Sequence, residues 1–94
     1  MDLVEVIMKR FLRRLFNLNI WGGRHTELKH IYQTLPSHLR GCKESKLALR
    51  ELVRKEFIIL KLSTGEKHVS LNSHKQKEIC DFLEGSDNDS LRII

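Results

Sequence analysis

The sequence is short of the residues that crosslink a chain, break it or carry it through a membrane. Its two cysteines, Cys42 and Cys80, lie far apart. They form neither a C-x-x-C pair nor any metal-type spacing, so they read as two reduced thiols, not as a disulfide framework. The one proline, Pro36, ends a helix. No apolar run approaches the roughly 18 residues a membrane-spanning helix needs. The opening MDLVEVIMKRFLRRLF mixes acidic and basic residues into its apolar stretch and leads to no small-residue cleavage site, so it does not read as a signal peptide. The expected location is cytoplasmic. No phosphate-cradling glycine loop, G-x-S-x-G or paired base and nucleophile appears, and the expectation is a chain without enzymatic activity or cofactor. Five histidines are present, but none has H-x-x-x-H or H-E-x-x-H spacing, so no metal site is expected.

What is there fits one small domain. Ninety-four residues allow a single modest core. The net charge of +5 is uneven. Residues 1–62 hold 13 Lys and Arg against 6 Asp and Glu, a balance of +7; residues 63–94 hold 4 against 6, a balance of −2. A positive body with an acidic end is the charge pattern of a chain that meets a polyanion.

Periodicity divides the chain into helices and a hairpin. Leu3, Val4, Ile7, Met8, Phe11, Leu12, Leu15 and Leu18 recur at helical spacing, predicting a first helix from Asp2 to about Leu18. Lys9, Arg10, Arg13 and Arg14 fall on its opposite face and read mainly as solvated. Trp21-Gly22-Gly23 marks a turn, and the stretch from Asn19 to His25 has room for a short strand. Thr26 reads as the N-cap of a second helix through Leu28, Ile31, Tyr32 and Leu35. A third helix is predicted from Cys42 or Lys43 to Lys55. Phe57–Leu62 and Lys67–Leu71 flank a turn containing Gly65 and read as a hairpin. Ser73 and Gln76 have capping-box spacing for a fourth helix to about Glu84. The domain spans 1–84. The acidic tail 85–94 reads as flexible, with an apolar end at Leu91–Ile94 suited to docking on the body or on a second chain. Phe11, Phe16, Phe57 and Phe82 are expected in the core, and Trp21 is either a core plug or an interface anchor.

The third helix is the most informative segment. At 100° per residue, Ala48, Leu49, Leu52 and Val53 share one arc; Lys43, Lys46, Leu47, Arg50 and Arg54 share the opposite one. The cations can reach phosphates or guanine edges, and an exposed Leu47 can touch a thymine methyl. Glu44, Glu51 and Glu56 can equally pair with those cations and leave a plain solvated face. Around the hairpin turn, Lys61, Lys67 and His68 are candidate phosphate contacts, or ordinary strand residues. His38 and Arg40 precede the third helix and are weaker candidates, as are Arg24 and His25 ahead of the second.

The stretches LPSHLRG at Leu35–Gly41, LALRELVRKEFI at Leu47–Ile58 and LKLSTGEKHVSLN at Leu60–Asn72 resemble the winged helix-turn-helix superfamily over residues 3–84. The combination of GGRHT, LPSHLRG and VSLN is similar to small archaeal winged-helix proteins. The resemblance implies an α+β fold with a three-helix core, a two- or three-stranded wing and a C-terminal helix. It also implies double-stranded DNA as partner, with the third helix in the major groove and the wing on phosphates, as in a sequence-specific transcriptional regulator. A homodimer through the first helix or the tail would join two half-sites. Winged helices also serve as protein-interaction adaptors, and charge alone does not separate DNA from RNA.

Overall fold

A computed structural model describes residues 2–84. The expected tail 85–94, and the docking contact expected of Leu91–Ile94, lie outside the described residues. The chain is α+β. Helix α1 (Leu3–Asn17) is followed by strand β1 (Thr26–Glu27), the single-turn helix α2 (Leu28–Tyr32) and helix α3 (Lys43–Arg54). Strands β2 (Ile58–Ser63) and β3 (Glu66–Leu71) form the hairpin, and helix α4 (Gln76–Glu84) closes the described chain. Short 3-10 turns cover Ser37–Leu39 and Ser73–Lys75. Among the described residues, no helix is long and apolar enough to cross a membrane.

The apolar stripe of α1 lies at the centre. Ile7, Met8, Phe11, Leu12 and Leu15 are buried against Leu28, Ile31, Ala48, Leu52, Val69, Leu71 and Ile79 from the other elements. Its N-terminus is capped by Asp2, whose carboxylate accepts from the Val4 N–H at 3.1 Å. Two expectations about this helix fail. Lys9 is only 9% exposed, because α4 covers its flank. Its ammonium reaches Glu5 at 3.1 Å and lies 5.2 Å from the centre of the Phe82 ring, so the stem is buried while the charge is met. Phe16, in contrast, is 38% exposed and packs edge-on against Trp21, itself half-buried.

α1 and α3 end in the same way. After α1, Asn19 takes the left-handed conformation (φ 57°), its N–H donates to Phe16 O, and the Ile20 N–H donates to Leu15 O. After α3, Glu56 does so (φ 63°), with Glu56 N–H to Val53 O and Phe57 N–H to Leu52 O. This double bond pattern satisfies the last carbonyls of a helix and usually recruits glycine or asparagine. Asn19 suits it; Glu56 carries a steric cost. Asn72 holds that strained residue: its side-chain amide donates to Glu56 O at 2.9 Å, and its carbonyl oxygen accepts from the His74 N–H at 3.1 Å. Asn72, not Ser73, therefore occupies the capping position that opens the Ser73–Lys75 turn.

The sheet is antiparallel in the order β1-β3-β2. Lys61 pairs with His68 and Leu62 with Lys67 across the hairpin. Thr64 and Gly65 both have positive φ at its two-residue turn, the mirror-image geometry that follows the strand twist. Thr26 is a strand residue opposite Val69, not a helix cap, and Glu27 fills the N-cap position of α2 without a side-chain bond. A single parallel bridge joins Trp21 to Leu71, with Leu71 N–H donating to Ile20 O and Gly22 N–H to Leu71 O.

Two substitutions of opposite sign follow from the α3 terminus. Glu56→Gly relieves the left-handed strain and raises unfolding free energy by about 0.5–1 kcal/mol, the gain being trimmed by the freer unfolded chain. Asn72→Ala removes both side-chain bonds and lowers it by about 1–3 kcal/mol. Urea denaturation followed by circular dichroism measures both; a stabilising Asn72→Ala would contradict this account of the turn.

Candidate nucleic-acid interface

α3 is fixed by its buried side. Ser45, Ala48 and Leu52 face the core and are sealed, with Leu49 packed half-buried beside them. Helical geometry then turns Lys43, Lys46, Arg50 and Arg54 outward within an arc of about 80°. All four are exposed. No carboxylate falls inside that arc; Glu44 and Glu51 both lie along one flank. Leu47, expected on the open face, is half-buried at that flank, and Val53, expected in the core, is exposed.

The four cations are not equivalent. Arg54 is engaged by Glu51: its Nη2 reaches Oε1 at 2.7 Å, and its Nε lies 3.2 Å from both carboxylate oxygens. The hydrogen bond from Arg54 holds the Glu51 carboxyl below its ordinary range, and Glu51 raises the Arg54 guanidinium in return. A duplex phosphate would have to compete with Glu51 for Arg54. Lys43, Lys46 and Arg50 are left as the open part of the ridge.

The approach to α3 is a self-bonded turn. Arg40 is exposed overall, but its guanidinium faces the chain: Nε donates to Leu35 O at 2.9 Å and Nη2 to Gln33 O at 3.3 Å. Its role in this structure is to hold the carbonyls that follow α2. The Ser45 hydroxyl donates to Cys42 O at 2.8 Å, and the Cys42 thiol to Leu39 O at 3.1 Å. His38 is exposed on the 3-10 turn.

The wing candidates separate onto two faces. Directly paired residues share a side of an antiparallel hairpin, so Lys61 and His68 lie together, and Lys67 lies on the other side with Leu62. His68 is half-buried, and its Nδ1 is 3.0 Å from Nδ1 of His25. Nothing in the sequence announces this meeting, since 43 residues separate the two rings. β2 also exposes apolar side chains, with Leu62 75% exposed and Ile59 and Leu60 partly so.

Among the other candidates, Arg24 is exposed. On α1, Arg10 donates to Thr34 O at 3.2 Å and Arg13 to Leu83 O at 3.2 Å, so both tie elements together as well as carrying charge. No protein-family model matches the chain, and no curated protein or solved structure matches it significantly.

Arg40→Ala leaves two carbonyls without their partner and is expected to cost about 1–2 kcal/mol of stability. Thermal unfolding measures it. A loss of ligand affinity in this variant with an unchanged melting temperature would instead assign Arg40 to the interface.

Proposed function

We propose that the chain is a winged-helix protein that binds double-stranded DNA in a sequence-specific, regulatory manner, with α3 in the major groove and the β2–β3 hairpin as the wing. One observation carries the proposal. The outward arc of α3 gathers Lys43, Lys46 and Arg50 on an exposed ridge free of carboxylates, while the opposite arc is locked in the core. A ridge of this kind presents charge to phosphates, and its arginine can take a guanine edge by two parallel hydrogen bonds. The element order supports the winged-helix assignment, because helices in succession followed by an antiparallel hairpin make up that arrangement, although residues 33–42 join α2 to α3 by a longer connection than the tightest helix-turn-helix has. Lys61 on the wing supplies a phosphate contact without sequence information.

The exposed apolar side of β2 favours a second reading from another class. Leu62, with Leu60 on the same face, would seat the hairpin against a protein partner, as in an adaptor.

Fluorescence anisotropy with a labelled random duplex separates the two. Under DNA binding, log K falls linearly with log salt, and Lys46→Ala flattens the slope by about one, the share of a single neutralised phosphate. Arg50→Ala costs about 1–3 kcal/mol on a selected target. Glu51→Gln releases Arg54 and removes a flanking negative charge, so duplex affinity rises. Absence of salt-dependent binding by the unmodified chain, or unchanged affinity in both cation variants, leaves the adaptor reading.

A further inference from the structure

His25 stands just ahead of β1, and His68 lies in the middle of β3. The sheet brings them together: Thr26 pairs with Val69 and Glu27 with His68, so the chain entering β1 runs past the His68 ring. Their Nδ1 atoms are 3.0 Å apart, with ring centroids 4.8 Å apart and ring planes crossing at 86°. His25 is exposed and His68 half-buried, so a solvated ion has access to the pair. A neutral imidazole offers one ring nitrogen with a free lone pair. Two such nitrogens converging at this distance share either one proton or one electrophile.

The distance admits a metal ion as well as a proton. A bond from an imidazole nitrogen to a divalent transition metal is about 2.0–2.1 Å. Two bonds of that length spanning the observed gap meet at an angle of about 94°. That angle is within reach of a transition-metal ion, so one ion can bond both nitrogens. Imidazole donors suit nickel and copper, which also stand high in the divalent affinity order.

We propose that His25 and His68 form a two-histidine clamp for a late first-row divalent cation, Ni²⁺ or Cu²⁺ by donor type and affinity order, bound through both Nδ1 atoms. Among the described residues, no group of three or more His, Cys, Asp or Glu side chains is placed to hold a metal. Water therefore completes the shell, and the ion is exchangeable. Glu27, opposite His68 in the register, favours the added charge; Lys61, opposite His68 on the other strand, and Arg24 beside His25 oppose it. The clamp escapes any search by sequence spacing because a strand register, not a helical turn, aligns the donors. It does not rest on the DNA-binding reading, although His68 belongs to the same hairpin, because metal titration is done without DNA.

Isothermal titration of NiCl₂ into the tag-free chain at about pH 7.5 tests the clamp. One saturable site is expected, weakening as pH falls to about 5 because both donors must be deprotonated. His25→Gln and His68→Gln should each weaken it at least about tenfold while circular dichroism stays unchanged, and His74→Gln, an exposed histidine on another turn, should leave it intact. Absence of a saturable site, its survival in both pair variants, or an equal loss in His74→Gln would overturn the proposal.

Discussion

The structure depends on burial of one stripe of α1. Phe11, Leu12 and Leu15 take no appreciable solvent and meet side chains from both other long helices and from the sheet. A chain of this size has apolar surface for only one such centre. Each remaining helix must therefore lay its own apolar arc on α1 or on the elements packed against it, and its charged arc is forced outward. The cationic ridge of α3 is a corollary of that packing: Ser45, Ala48 and Leu52 face inward, and nothing else decides where Lys46 and Arg50 go.

The parts of the molecule legible from sequence are those where one local period rules. The α1 stripe, the inward and outward arcs of α3, and the hairpin around Thr64-Gly65 follow from spacing and turn chemistry. The illegible parts are those where a distant segment decides. Nothing local distinguishes Lys9 from Arg10; burial of Lys9 comes from Phe82, far along the chain. Thr26 has the chemistry of a helix cap, yet Val69 claims it for a two-residue strand too short to show a period. Glu56 carries no signature of the left-handed backbone it adopts, because its support comes from Asn72.

The candidate site divides along the same line. Lys43, Lys46 and Arg50 are readable, since exposure on a helix follows from the opposite arc. Arg54 and Arg40 have the same charge in the sequence but different circumstances in space, one held by Glu51 and the other by backbone carbonyls. Counting cations therefore overstates the charge free to meet a partner. The separation of Lys61 from Lys67 follows from strand alternation alone, so the hairpin presents one of them to each side.

The shortness of β1 has an energetic consequence. The hairpin joins neighbours in sequence, but β1 reaches β3 only after the chain has looped through α2 and α3. Closing so wide a loop costs entropy, and two residue pairs offset little of it. Pairing the outer strand thus costs more loop entropy than closing the hairpin, and two residue pairs hold it against six in the hairpin. Any bond made across the seam between β1 and β3, a proton or an ion shared by His25 and His68 included, therefore reinforces the least-paired edge of the sheet.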